Sequence, residues 1–193
     1  MRSSGLDSSF CRDVDDVDFE FENAPVRIVA VRNVSEIKVA GTVVGPYDEG
    51  REFEVKYWVA WELVKSGFAR FLEGYPMDLV SLNKIQWKEP IQVGMHLSTL
   101  PEYFYPRLRR FLAQLKEEAV RDASAAEKYS KAVRLTQDVI ECRLKKIVNL
   151  AASPEQTEDI LKTFSREEKI LYDTLHSLVY EWKKKMTRFE ASK

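Results

Sequence analysis

The residues that could do chemistry are few, and their spacing does not converge. The chain of 193 residues holds two histidines and two cysteines. A zinc centre needs several His, Cys, Asp or Glu ligands at short regular spacing, and a nucleophile needs a base beside it. His96 falls in a Pro- and Gly-marked stretch, and His176 lies one residue off an apolar helical stripe. Each reads as an ordinary satisfied or exposed histidine rather than a ligand. Cys11 and Cys142 show no paired spacing, which fits a reducing compartment better than a disulfide framework. Cys142 sits inside a helical pattern with no histidine nearby in sequence and reads as a small packing residue. No glycine-rich dinucleotide loop, Walker loop or nucleophile elbow is present. Acid pairs such as Glu167-Glu168 belong to helix starts, where the dipole favours them. The expectation is a chain with no catalytic, cofactor-binding or metal-binding residues, and so not an enzyme.

Phosphate binding is the next chemistry to weigh. Formal net charge is -1, which argues against broad capture of nucleic acid. The charge is uneven: residues 1–100 hold 11 Lys/Arg against 16 Asp/Glu, and residues 101–193 hold 19 against 15. Arg107, Arg109 and Arg110 head one helix, with Lys116 and Arg121 further on. Arg107 and Arg110 share a face; Arg109 does not. Lys183-Lys184-Lys185 ends the last helix, where cations complement the dipole. Solvated helix faces are the first reading. The alternative is a sequence-independent nucleic-acid-binding protein using this basic helical half, with salt-sensitive affinity.

The aromatic residues say more. Tyr103-Phe104-Tyr105 stands between Pro101 and Pro106 at a helix start. Trp58, Trp61, Trp87 and Trp182 are spread along the chain. Large aromatics fill folds and also the centres of interfaces. On the second long helix, Leu135, Val139 and Val148 fall off the main apolar stripe. That surplus calls for burial against another subunit.

These residues must be positioned by two kinds of structure. Hydrophobic residues make up 45% of the chain, enough for packed cores. No apolar run approaches a membrane span, and Met1 to Arg12 lacks the apolar core of a secretory signal. Residues 1–22 carry six acids between Asp13 and Glu22, with no base there, and read as a solvated acidic tail in which Phe19 and Phe21 could pair as an edge strand. Strand patterns follow at 26–32, 36–39, 42–44 and 51–55, with a turn at 45–50. A short helix follows through Trp58, Val59 and Leu63, closed by Gly67, and then a last strand at 68–72. Residues 23–75 are thus expected as a small β-rich domain.

Residues 76–98 read as a junction with a short helix using Leu79, Leu82 and Trp87. Residues 99–193 read as a helical domain. A turn at 101–104 precedes a helix near 105–123 striped by Leu108, Phe111, Leu112, Leu115 and Ala119. A second helix near 124–151 is striped by Tyr129, Val133, Thr136, Ile140, Leu144, Ile147 and Leu150. Ser153-Pro154-Glu155-Gln156 and Ser165-Arg166-Glu167-Glu168 are capping boxes that open two more helices. The last of these is striped by Leu171, Leu175, Leu178, Val179, Trp182 and Met186. The fold class is α+β: a small strand-rich N-terminal domain followed by an all-helical bundle domain.

Two stretches resemble the GINS family. Gly45-Pro46-Tyr47 through Gly50, followed by Glu52-Phe53-Glu54-Val55-Lys56-Tyr57-Trp58-Val59-Ala60-Trp61-Glu62-Leu63, is similar to the small β domain of its subunits. Leu100-Pro101-Glu102-Tyr103-Phe104-Tyr105-Pro106-Arg107-Leu108 is similar to the start of their long helix. The likeness spans roughly residues 25–190. It departs at Lys56-Tyr57, where the family often has Pro-Leu before the Trp, and in the added acidic tail. The β-first order resembles the archaeal subunit related to the second and third Psf subunits of eukaryotes. That resemblance implies a non-catalytic subunit of a DNA replication complex, without cofactors. It implies a two-plus-two heterotetramer with a second GINS subunit, which scaffolds and activates the MCM helicase with a Cdc45/RecJ-like protein. Any direct DNA contact would be weak, no membrane would be involved, and the protein would be cytoplasmic and chromosome-associated (nuclear in a eukaryote). Tyr103, Phe104, Tyr105, Leu108, Phe111, Leu112, Leu135, Val139 and Trp182 are the expected subunit-interface residues.

Overall fold

The computed structural model describes residues 6–39, 41–91, 97–153 and 158–187. The fold is α+β. Residues 16–77 form one compact unit, and residues 78–193 with the first fifteen form another. Among the described residues, no helix is long and apolar enough to cross a membrane.

In the strand unit, Val26, Ile28 and Ala30 share the buried face of β1 (Pro25–Ala30), the central strand, with Pro25 and Arg27 exposed and Val29 buried on the other face. β4 (Glu52–Lys56) and β5 (Ala69–Phe71) flank it, both antiparallel, so that Ile28 sits between Phe53 and Phe71. β2 (Ile37–Val39) and β3 (Thr42–Val44) form a separate hairpin with Ile37 opposite Val44. α2 (Tyr57–Lys65) follows β4 directly and buries Tyr57, Val59, Ala60 and Leu63. It stops at Gly67, whose φ of 72° is left-handed. There the Gly67 amide donates to Val64 and the Phe68 amide to Leu63, a Schellman closure that glycine accommodates without a Cβ penalty.

The acidic N-terminus is a correction. It is neither a tail nor an edge strand but a helix, α1 (Leu6–Asn23). Val17 and Phe21 stand four residues apart, so they share one face, and both are buried. Phe21 is 1% exposed and its ring meets Tyr57 at 4.2 Å between centroids, whereas Phe19 points away and is 70% exposed. The apolar face anchors this segment. Asp13, Asp15, Asp16 and Glu20 stay on the wet side, where their charge costs little.

The short helix expected within residues 76–98 is α3 (Leu79–Ile91), and it groups with the helical unit instead of standing as a separate junction. Asp78 caps it by accepting the Ser81 amide at 2.7 Å, and hydrogen bonding from the Ser81 side chain, then from its amide, holds the Asp78 carboxyl below its ordinary range. Leu82 and Glu89 face inward, and Trp87 outward. α4 (Phe104–Ala119) begins at Tyr103, which adopts a left-handed φ of 51°. Pro106 falls in the first turn, where no amide is needed. α4 ends at Ala119, short of the expected 123, because Asp122 caps the next helix by accepting the Ser124 and Ala125 amides. That helix is α5 (Ala123–Ala152), the spine of the unit, against which α3, α4 and α7 (Arg166–Met186) pack. α6 (Glu158–Leu161) is short. Leu97, Ile147, Leu150, Ala151 and Tyr172 form a core cluster, with Ile160, Leu161, Phe164, Leu171 and Leu175 against it. Ser165 and Glu168 form the expected capping box at the start of α7. The other expected box (153–156) runs into residues 154–157 and, like His96, lies outside the described residues.

The inward face of α5 agrees with the expected stripe at Thr136, Ile147 and Leu150 and departs from it at Ile140 and Leu144. Ala132, Leu135, Thr136, Val139, Arg143, Ile147 and Leu150 are buried, while Ile140 and Leu144 are exposed. Arg143 belongs to the buried set, and treating it as a surface residue rotates the inferred face towards Ile140 and Leu144.

Candidate assembly interface

The residues with chemical potential do not converge. His176 lies half-buried with its ring stacked on Tyr172 at 5.8 Å. Cys11 is exposed and Cys142 half-buried. Among the described residues no group of His, Cys, Asp and Glu could hold a metal ion. An open cavity of about 350 Å³ at the α4–α5 corner is lined by Gln114, Glu117, Glu118, Arg121, Asp122, Ala125 and Lys128. Acids and bases alternate there with no nucleophile–base pair.

The expected interface residues divide sharply. Phe104, Leu108, Leu135 and Val139 are buried within this chain's own helical unit. Buried there, they offer no free surface to a partner: Phe104 and Leu108 lie on α4 and Leu135 and Val139 on α5, helices that pack on each other. Tyr105 is largely enclosed and its phenol donates to Glu168 Oε1 at 2.7 Å. Tyr103, Phe111 and Leu112 are half-buried. Trp182 is 60% exposed.

Two apolar stripes remain in water. On α7, Leu178, Trp182 and Met186 recur every four residues and all are exposed. On α5, Ile140, Leu144 and Val148 do the same. Such spacing places each set along one side of its helix. On α7 the apolar face is continuous with the covered residues Leu171, Tyr172 and Leu175, so the helix carries its hydrophobic face past the cover its own unit supplies.

A buried charge cluster joins these helices, and nothing in the sequence pattern announced it. Arg143 on α5 is wholly inaccessible to water. Its Nε and Nη2 donate to the two carboxylate oxygens of Glu168 on α7, the latter at 2.7 Å. Its Nη1 donates to Glu89 Oε1 on α3 and, at 2.8 Å, to the Ser98 carbonyl. Ser98 Oγ donates to the same Glu89 oxygen. Lys146 Nζ reaches the Glu89 carbonyl at 2.7 Å and Oε2 at 3.3 Å. Glu168 also accepts the Ser165 amide at 2.9 Å as part of its capping box. Two acids thus face two bases, and each charged group has several hydrogen bonds, which is what burial of charge demands. Burial opposes the Arg143 charge, but the bonds and charge of Glu168, then Glu89, outweigh it and raise its pKa. Burial, reinforced by the Glu168 charge, pushes the Tyr105 phenol well above its ordinary value. Burial also raises Tyr172, whose hydroxyl finds no partner among the described residues.

The helical unit is a bundle with a buried ion cluster at its centre and exposed apolar stripes on two of its helices. No curated protein matches the chain. Residues 77–187 match a family described as Sld5, GINS complex protein helical bundle domain. That match spans more than half of the chain and takes in α3 to α7, the cluster and both stripes; the chain belongs to the GINS family of DNA replication complex subunits.

Proposed function

We propose that this chain is a β-first GINS subunit of the archaeal type, related to the second and third Psf subunits, that works as a scaffold. It assembles with a second GINS subunit as a two-plus-two tetramer, and the complex braces and activates the MCM helicase with a Cdc45/RecJ-like protein. Its working parts are docking faces rather than reactive groups. The observation that carries this reading is the pair of exposed stripes, Leu178-Trp182-Met186 and Ile140-Leu144-Val148. Removing one such side chain from water is worth about 2 kcal/mol. Periodic apolar side chains on a helix are also the form in which helices dock into grooves of other chains. Family membership adds the kind of partner, since GINS subunits assemble with one another.

The test is co-expression with the GINS subunits of the same genome, followed by size-exclusion chromatography with light scattering. One stable hetero-oligomer is expected. Leu178→Asp with Trp182→Asp splits it while leaving the variant's own melting unchanged. A chain that stays monomeric beside every GINS subunit of its genome would overturn the proposal.

A further inference from the structure

The apolar contact of α7 with its unit is confined to its first half, through Leu171, Tyr172 and Leu175. Of its 21 residues only Glu168 and Tyr172 are fully buried. Apolar contact has no direction of its own, so a thin layer of it fixes a helix's tilt and rotation only loosely. The directional contacts of α7 are polar. Glu168 receives the Arg143 fork from α5 and the Tyr105 phenol from α4, while Arg143 is pinned from behind by Glu89 of α3 and the Ser98 carbonyl. A planar fork meeting both carboxylate oxygens restricts rotation as well as distance. A second tie, Lys183 Nζ to the Ala152 carbonyl at 2.7 Å, is exposed and correspondingly weak.

We infer that the Arg143–Glu168–Glu89 cluster is a positioning lock that sets the orientation in which α7 presents Leu178, Trp182 and Met186, and that it contributes orientation rather than net stability. The inference rests on the assembly role proposed for that stripe. Burying charges costs desolvation that their attraction roughly returns, so such a cluster is a weak source of stability and a strong source of geometry. The lever is long: Trp182 lies about 21 Å along the axis from Glu168 at the helical rise of about 1.5 Å per residue. A swing of roughly 10° at the lock displaces it by about 4 Å, a large part of the helix pitch and enough to lose a ridge-into-groove fit.

The experiment uses the full chain co-purified with its GINS partner and compares variants by assembly affinity, melting temperature and amide exchange of α7. The neutral variant Arg143→Met/Glu89→Gln/Glu168→Gln is expected to melt within a few degrees of the parent. It should assemble at least tenfold more weakly, with faster exchange in α7 and unchanged exchange in α5. Unchanged affinity in this folded variant overturns the lock, as does a large fall in melting temperature with affinity intact. Trp182→Asp is the control for the underlying reading: if it leaves affinity unchanged, the docking face itself is wrong, whatever the lock does. Should the triple variant fail to fold, Arg143→Lys decides, because it keeps the charge and loses the fork. Native melting with lost affinity supports the lock; native affinity overturns it.

Discussion

Arg143 and Glu168 meet out of water through two hydrogen bonds, with side chains 0% and 3% exposed. Glu168 simultaneously closes the capping box of α7 and accepts the Tyr105 phenol. One carboxylate therefore joins the start of α7 to α5 and α4, and Arg143 carries the connection on to α3 through Glu89. Four helices of the GINS bundle share a single polar node, whereas the stripes of α5 and α7 that face outward are purely apolar.

Removing the cation alone is expected to be costly. Arg143→Met leaves Glu89 and Glu168 buried with only Lys146 at the edge. A loss of about 3 to 5 kcal/mol follows, since an uncompensated buried charge is the expensive case. Urea denaturation of parent and variant checks it. A loss below about 1 kcal/mol would mean that the carboxylates are better hydrated than their burial implies.

Tyr105 makes stability fall at high pH. Its phenol is raised in the folded state, so above about pH 10 the unfolded chain loses a proton that the folded chain keeps. The unfolded state then binds fewer protons, and stability declines by about 1.4 kcal/mol per pH unit from this residue. Below that pH its contribution is fully present. Denaturant titrations from pH 9 to 11 should show a shallower decline in Tyr105→Phe than in the parent. Parallel curves would contradict the assignment.

Phe19 and Phe21 separate the helix from the tail reading of the N-terminus. Phe21→Ala empties a buried site against Tyr57 and should cost about 3 to 5 kcal/mol. Phe19→Ala, in water, should change stability by less than about 0.5 kcal/mol. Thermal melts of the pair decide, and two silent substitutions would show that α1 does not pack.

Leu108 and Trp182 separate core from interface in the same way. Leu108 is 2% exposed, so Leu108→Asp should unfold the helical unit rather than selectively weaken assembly. Trp182→Asp should leave the circular dichroism melt in place and reduce assembly. Arg107→Ala with Arg110→Ala should affect assembly far less than Trp182→Asp.

Much of the fold could be read from residue pattern because pattern and burial agree there. β1, β4 and α2 fall where alternation and then helical spacing place them, and Ser165-Glu168 capped α7 as its residue types require. Two of the failures, the face of α5 and the acidic N-terminus, share one physical origin. Sequence patterning equates charge with solvent, and this chain breaks that rule at Arg143, Glu89 and Glu168. With Arg143 scored as surface, the inferred face of α5 turned so that Leu135 and Val139 seemed surplus and Ile140 and Leu144 seemed core. The acids of α1 similarly masked Val17 and Phe21, only two anchors within an acidic segment. A buried ion cluster depends on residues far apart in the chain, so no local spacing reveals it.

The most direct test is hydroxyl-radical footprinting of the free chain and of its complex with the GINS partner. Trp182 and Met186 are both reactive and both exposed in the free chain. The prediction is strong protection of both on assembly, with the Leu178 and Leu144 positions following. Equal labelling of Trp182 and Met186 in the free and assembled states would contradict the claim that these stripes are where another subunit docks.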